Sequence, residues 1–214
     1  MLRLPQFTKA ADNIRPYNSH RYDVFAPKLN RTLTLYGRIS LDAWIILESD
    51  PDVEYYCERP LVIPDTKPKR VIDFWIKRKE NDQFLFLLRP SEIAVGIDGI
   101  TTIPAFRAWA ESNMAIIKFI DPAVFHEKKI LLTNWGWIIR DLSAFGRFLP
   151  PDLCNKVSKI IQLPASLADI ERNFFDLDPI LIRIAIFSLM HSGHAVCQDL
   201  DSAFFGPLSV IESL

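Results

Sequence analysis

Two short apolar runs separated by a polar turn constrain the fold of this chain more than any other feature. The runs are residues 71–76 and 84–88, and both have the length and the β-branched and aromatic content of buried strands. Between them, residues 79–82 supply the charged and amide side chains of a surface turn. The pattern predicts a β-hairpin. Its first strand contains one carboxylate, Asp73, which makes that residue the first candidate for a functional site.

The flanking segments predict helices before and after further short strands. Ser40 is a suitable helix N-cap, and Leu41, Trp44 and Ile45 follow it at helical spacing. A strand, helix, strand order implies a mixed sheet with at least one parallel pair, flanked by helices. The other predicted elements are strands at 54–56, 61–63 and 116–120, a crossover helix at 104–113, a long helical region at 123–148 and a helix at 152–162.

The C-terminal segment predicts a small winged-helix-like domain that begins near Pro164. Asp178 followed by Pro179 is a strong helix start, a cap and then proline at the first position. Gly193 is a suitable helix end. The predicted elements are a helix at 167–175 capped by Ser166, a helix at 180–191, and wing strands at 195–197 and 209–211.

Composition excludes several classes of protein. Hydrophobic residues make up 49% of the chain and charged residues 24%, which favours a folded core over disorder. Only 7 glycines are present, and no glycine-rich phosphate loop is among them. The apolar run at 180–190 is interrupted by Arg183 and is too short to span a membrane. The 3 cysteines are far apart, and we expect reduced thiols in a cytoplasmic protein.

Charge is unevenly distributed along the chain. Residues 1–90 contain 15 Lys and Arg against 12 Asp and Glu, whereas residues 165–214 contain 2 against 7. Clustered cations neutralise phosphates, so the N-terminal part predicts DNA binding, with a solvated, poorly ordered terminus as the alternative. The acidic C-terminal segment disfavours DNA binding and favours docking of a protein. The candidate DNA-binding residues are Lys28, Arg31, Lys67, Lys69, Arg70, Lys77 and Arg78.

Six segments in order along the chain resemble one family. They are residues 27–33, which begin Pro-Lys-Leu-Asn-Arg, residues 41–53, which end Leu-Glu-Ser-Asp-Pro-Asp-Val, Glu-Arg-Pro-Leu at 58–61, the predicted strand at 116–120, Asn134 with its neighbours, and residues 198–211, which begin Gln-Asp-Leu-Asp. Together they resemble the TnsA-like endonuclease subunits of heteromeric bacterial transposases. The resemblance covers residues 20–214 and implies an α/β restriction-endonuclease-like domain at 35–163. The charge distribution predicts a basic N-terminal arm at 1–34 before it, and the helix and strand pattern predicts the winged-helix-like domain at 164–214 after it.

The resemblance also implies a metal-dependent nuclease site, and this chain departs from it. Asp73 matches the aspartate of the hairpin. The family's helix-start glutamate has no counterpart in residues 35–40, its second-strand Glu or Gln falls on Leu87, and its lysine falls on Arg89. Asp42 and Glu58 are possible substitutes. Mg²⁺ is bound through oxygen ligands, so the metal site is reduced to Asp73, and we expect no cofactor unless the site is active with Mg²⁺.

Three functions remain open on the sequence. The first is a TnsA-like subunit of a DNA transposition complex, with a degenerate nuclease site, that binds DNA, an integrase-like transposase and an AAA+ regulator ATPase. The second is an active Mg²⁺-dependent endonuclease that cuts transposon-end DNA. The third is a binding module unrelated to transposition. We expect little or no cleavage by the isolated protein, because three of the four expected site residues are replaced.

One further cluster of metal-ligand residue types occurs near the C-terminus. His191, His194 and Cys197 lie close together, with Asp199 as the nearest fourth ligand for zinc. The alternative is structural, since a histidine at a helix C-terminus interacts favourably with the helix dipole and Cys197 suits a buried strand.

Overall fold

A computed structural model of the chain describes residues 6–63, 69–96, 111 and 116–214. The chain forms two compact units. The first consists of Met1–Leu47 and Asp52–Glu127, and the second of Glu48–Pro51 and Lys128–Leu214. Among the described residues, no helix has both the length and the apolar character needed to cross a bilayer.

The first unit is built around a four-stranded mixed sheet. Its strands lie in the order β3-β6-β7-β8; the first three are antiparallel, and β7 and β8 are parallel. The predicted mixed α/β architecture, with helices flanking the sheet, is therefore present. The elements are β1 (Arg21–Ala26), β2 (Arg31–Tyr36), α1 (Arg38–Ser49), β3 (Val53–Glu58), β4 (Val62–Ile63), β5 (Arg70–Val71), β6 (Phe74–Arg78), β7 (Asp82–Leu87), α2 (Pro90–Val95), β8 (Ile116–Ile120) and α3 (Ala123–Glu127).

The hairpin predicted from the two apolar runs is confirmed as β6 and β7. Phe74 pairs with Leu85 and Lys77 with Asp82 across the antiparallel ladder. All six residues of β7 are buried, because this strand has a neighbour on each side and its two faces are covered. The strand is therefore a continuous apolar run at its centre instead of an alternating one.

Alternate side chains of the sheet enter different parts of the core. Trp75, Phe84 and Phe86 belong to one cluster with Cys57. On the opposite face, Tyr56 packs near Phe74, with ring centroids 6.3 Å apart. Trp44 of α1 donates a 2.7 Å hydrogen bond from Nε1 to the Tyr56 hydroxyl, which attaches the helix to this face.

Three local predictions in the first unit need correction or lie outside the described residues. The segment predicted as an arm at 1–34 contains strands β1 and β2, which form a regular antiparallel hairpin. Helix α1 begins at Arg38, before the predicted cap Ser40, because Gly37 adopts a φ of 84° and its carbonyl accepts from the Leu41 N–H. The predicted crossover helix at 104–113 lies outside the described residues, apart from Glu111.

The second unit contains helices and a small three-stranded sheet. The strand order is β10-β11-β9, and both pairs are antiparallel. The predicted caps are confirmed: Ser166 accepts from the Asp169 N–H, and Asp178 accepts from the Ile180 N–H directly before Pro179. The elements are α4 (Lys129–Phe145), α5 (Leu153–Ile160), β9 (Ala165–Ser166), α6 (Leu167–Arg172), α7 (Pro179–His191), β10 (Ala195–Cys197) and β11 (Val210–Ser213).

The predicted domain boundary near Pro164 falls inside the second unit. Leu153 and Val157 of α5 are 2% and 0% exposed. The Ser213 N–H donates to the Ile161 carbonyl, and the Cys154 thiol lies 3.9 Å from the Ala185 carbonyl of α7. The helices before Pro164 therefore share one core with the segment after it. Proline and polar residues occur at this point of the sequence, but the hydrophobic core is continuous across it.

A buried asparagine of α4 fixes the segment that connects β10 to β11. Asn134 is 0% exposed. Its Nδ2 donates to the carbonyls of Leu200 and Ala203 at 2.8 and 2.7 Å, and its Oδ1 accepts from the Phe205 N–H at 3.0 Å. One amide thus satisfies three backbone groups of an irregular segment, which explains a polar residue at a fully buried helical position.

We predict that Asn134→Ala lowers the free energy of unfolding by on the order of 3 kcal/mol, because it leaves three backbone groups unsatisfied near the core. Urea denaturation measures this. Asn155→Ala, at an exposed position of α5, is the matched control and should change stability by less than about 0.5 kcal/mol. Equal effects of the two substitutions would contradict the role assigned to Asn134.

Candidate functional site

The candidate site lies at the interruption between strands β5 and β6. The predicted strand at 71–76 is interrupted at Asp73, whose N–H donates to the Leu85 carbonyl while its own carbonyl accepts from the Arg59 N–H. The Asp73 carboxylate accepts from the Leu87 N–H at 2.8 Å. Leu87, which stands at the expected Glu or Gln position, therefore contributes a backbone donor in place of a metal ligand.

Arg70 provides the cation beside Asp73. Its side chain is buried, with Nη1 3.4 Å from Asp73 Oδ2. The guanidinium also donates to both carboxylate oxygens of Glu92, at 3.0 and 3.2 Å, and to the Leu87 carbonyl at 2.6 Å. Its Cζ lies 3.8 Å from the centre of the Phe86 ring. Arg70 is therefore held on several sides by acceptors and an aromatic face.

Glu92 is positioned by the start of α2. Pro90 occupies the first helical turn, and the Glu92 carboxylate accepts from the Arg89 N–H at 2.7 Å. An acid at the third helical position that binds the cap N–H is a common helix start, and it stabilises the helix N-terminus. The same carboxylate therefore caps the N-terminus of α2 and pairs with Arg70.

The pKa values of Asp73 and Arg89 are shifted in opposite directions. Burial raises the pKa of Asp73, while Arg70 and the Leu87 N–H act against that rise. The pKa of Arg89 is lowered by burial and by repulsion from Arg70. Two cations and two carboxylates, those of Asp73 and Glu92, thus meet at this point. A lysine was expected at the position of Arg89 from the sequence resemblance, and an arginine holds its proton too tightly to act as a base.

A cavity of about 280 Å³ opens next to these residues. Charged residues of both signs line it, and Ser40 and Tyr36 are also among the lining residues. The charged lining residues are Asp12, Glu58, Asp73, Arg59, Lys69, Arg70 and Arg89.

The residues around this cavity do not fit a two-metal nuclease site. Within the described parts of the chain, no three His, Cys, Asp or Glu side chains form a group able to hold a metal ion. The possible substitute Glu58 is bound by both terminal nitrogens of Arg31. Asp42 is bound by Arg38 at 2.8 Å. Two metals need several convergent oxygen ligands, and here the carboxylates are already bound by arginines.

Asp42 does not line the cavity, and its carboxylate is already bound by Arg38. It is 8% exposed, and burial raises its pKa, with Arg38 opposing the rise. It is absent from the residues that line the cavity. Asp42 therefore supports the start of α1 and does not replace the missing helix-start glutamate.

Most of the predicted DNA-binding cations are engaged within the protein. Lys69 pairs with Asp12 at 2.7 Å and Lys77 with Glu54 at 3.0 Å. Lys28 donates to the Leu47 carbonyl at 2.9 Å. Arg31 and Arg70 have the partners described above, Arg78 lines a second cavity of about 410 Å³ at the β6–β7 turn, and Lys67 lies outside the described residues.

The histidines near the C-terminus have other partners. His191 Nε2 lies 2.7 Å from Glu48 Oε2, and Glu48 is 0% exposed. The His194 ring bonds the Ser192 hydroxyl at 2.8 Å. These contacts agree with the structural alternative for His191 and His194 and leave no ligand group of three among the described residues.

Sequence reasoning missed Glu92 and assigned Arg70 to DNA. The signal for Glu92 was present, since Pro90 followed by a glutamate two residues later marks a helix start. Nothing in the sequence linked that helix start to Arg70, because the contact depends on how the hairpin folds.

Comparison with known proteins adds no relative. No protein-family model matches the chain, and no curated protein does.

We predict that Arg70→Gln lowers the free energy of unfolding by about 3 kcal/mol, because two partly buried carboxylates lose their shared cation. The deficit should shrink as the pH falls toward about 5, since loss of the guanidinium raises the pKa of Asp73 further and protonation removes the buried charge. Arg21→Gln is the control. It breaks an exposed pair with Asp23 and should leave the free energy of unfolding nearly unchanged.

Proposed function

We propose that this protein is a non-cleaving, TnsA-like subunit of a DNA transposition complex. The observation that carries the proposal is the engagement of Asp73, the one matched site carboxylate, by Arg70 and the Leu87 N–H. In a nuclease the corresponding carboxylate is available to a metal that clamps the reacting phosphate. Here the site is neutralised from within, so a scaffold role is favoured over cleavage.

The architecture of both units supports this proposal. The first has the mixed sheet and central hairpin expected of a restriction-endonuclease-like core. The second has a short strand, two helices and two further strands in chain order, with β11 between β9 and β10. That order agrees with the winged-helix-like domain expected from the sequence, extended at its N-terminal side by α4 and α5.

DNA binding in this proposal is weak and non-specific. Phosphates have to compete with Asp12, Glu54 and Glu58 for the cations that those carboxylates hold. The turn between β6 and β7 carries Arg78 and Lys79 at the second cavity, beside Asp52 and Glu80, and is a candidate for phosphate contact in the first unit.

Protein partners are assigned to the second unit. Residues 165–214 have 2 cations against 7 acids, so a basic surface is the complementary partner. By the family resemblance, the AAA+ regulator ATPase and the integrase-like transposase are the candidates. The three cysteines are free thiols, two of them buried, which supports the expected cytoplasmic location.

We predict that the purified protein does not nick supercoiled DNA in Mg²⁺ or Mn²⁺, and that Asp73→Asn leaves this background unchanged. Gel analysis of plasmid topology measures it. Metal-dependent nicking that Asp73→Asn abolishes would show an active endonuclease and overturn the proposal.

We predict that duplex DNA binding weakens steeply with salt and depends on the β6–β7 turn. Replacing Arg78 and Lys79 by Gln should reduce the slope of log K against log salt concentration by about 1 to 2, because one or two phosphate contacts are lost. Fluorescence anisotropy measures this. The double substitution Lys156→Gln with Lys159→Gln, in α5, is the matched control, and a larger effect there would place DNA on the second unit.

A further inference from the structure

Residues 6–16, which we call the strap, lie beside the candidate site without forming a helix or a strand. Asp12, Ile14 and Pro16 of the strap line the cavity. Within residues 11–18, Asp12 alone is buried, and every other residue of that range is exposed. The strap therefore runs over the surface of the first unit and places one carboxylate at the cavity.

The Asp12 carboxylate binds two of the cations that line the cavity. Its Oδ2 lies 2.7 Å from the Lys69 Nζ, and its Oδ1 lies 3.4 Å from the Arg59 Nη2. The hydrogen bonds from Lys69 and from the Ile14 N–H hold the pKa of Asp12 below its usual range, so the carboxylate is ionised at neutral pH.

Asp12 controls how much unpaired positive charge faces the cavity. Four cations and three acids line it, so without Asp12 four cations would stand against two acids. Those two acids already have arginine partners, Arg70 on Asp73 and Arg31 on Glu58. Departure of Asp12 would therefore leave the two cations that it binds without a carboxylate partner among the described residues.

Few contacts besides the ion pairs hold the strap. The Ala11 N–H donates to the Arg59 carbonyl at 2.8 Å, and the Arg59 guanidinium donates to the Ile14 carbonyl at 3.1 Å. The Tyr36 hydroxyl donates to the Asn13 carbonyl at 2.7 Å. Each such hydrogen bond contributes only about 0.5–1.5 kcal/mol. A segment held in this way opens at a lower free energy than the sheet beneath it.

The strap is fixed by apolar contacts at its beginning. The Phe7 ring packs against Trp75 and Phe84, with centroids 5.5 and 5.9 Å apart. These contacts do not depend on the ion pairs of Asp12. The cavity acid Glu58, in contrast, belongs to strand β3 and cannot leave without breaking the sheet. Asp12 is therefore a carboxylate that can move away while the fold stays intact.

We propose that the strap is autoinhibitory: Asp12 withholds Lys69 and Arg59 from DNA phosphates, and DNA that contacts this face displaces residues 10–16. The inference rests on the DNA binding in the proposed function and adds a mechanism that limits it. The competitor is the phosphate backbone, because phosphates take up lysine and arginine without regard to base sequence.

Fluorescence anisotropy with duplex DNA at several salt concentrations tests the inference. Asp12→Asn keeps an acceptor for the Ile14 N–H but loses the charge. It should bind on the order of tenfold more tightly than the wild-type protein at low salt, with a slope of log K against log salt steeper by about 1 to 2. Asp23→Asn makes the same charge change at an exposed pair with Arg21. An equal gain in this control would overturn the inference.

A second substitution separates release of the strap from a general gain of positive charge. Lys69→Gln should change DNA affinity little in the wild-type protein, because Asp12 already holds that lysine. In the Asp12→Asn background the same substitution should remove most of the gain, which a double-mutant cycle measures. Equal effects of Lys69→Gln in the two backgrounds would contradict the strap mechanism.

Hydrogen exchange reports displacement in the wild-type protein itself. DNA should accelerate exchange of the Ala11 amide, whose N–H donates to the Arg59 carbonyl, and should leave the amides of β6 unchanged. Slower or unchanged exchange at Ala11 in the DNA complex contradicts displacement.

The outcomes distinguish this inference from the proposed function. If DNA binding depends on Arg78 and Lys79 and Asp12→Asn does not tighten it, the proposed DNA binding stands and the strap inference fails. If Asp12→Asn tightens binding and substitution of the β6–β7 turn has no effect, the strap inference stands and the proposed contact at the turn fails. If neither the wild-type protein nor Asp12→Asn binds DNA, both fail.

Discussion

The buried guanidinium of Arg70 connects the parts of the first unit that meet at the candidate site. It joins Asp73, at the interruption before β6, to Glu92, at the start of α2, and it also binds the carbonyl of Leu87 at the end of β7. Removing one partner of such a network leaves an uncompensated buried charge, which is far more costly than loss of a surface pair. The geometry of the candidate site therefore depends on this one side chain.

The same interaction determines what the site can do. A nuclease carboxylate has to be open to a metal, and the metal has to be open to a phosphate. Here Asp73 is held by a guanidinium and a backbone N–H, and Glu58 is held by Arg31. The mixed sheet and its hairpin are compatible with a nuclease-like core, but the carboxylates at this point are bound by arginines of the same unit.

Sequence patterns predicted the fold better than the site. The hairpin, the parallel strand at Ile116–Ile120 and the helix start at Asp178 follow from local residue chemistry, and the structure confirms them. The ion pairs could not be predicted, because Arg70 and Glu92 are 22 residues apart and meet only when the sheet forms. The predicted boundary near Pro164 lies inside the second unit for a related reason. Helices α5 and α7 share one core, and local composition does not reveal such packing.

Side-chain NMR of Arg70 tests the central claim most directly, with its Nε–H signal assigned through Arg70→Lys. A guanidinium bound to buried carboxylates should show a slowly exchanging signal that millimolar Mg²⁺ leaves unchanged, together with an unchanged Asp73 carboxyl carbon shift. If Mg²⁺ instead moves both signals, the ion displaces Arg70 from Asp73. The site would then be a metal site with a removable arginine, which contradicts the role of Arg70 as the resident cation of Asp73.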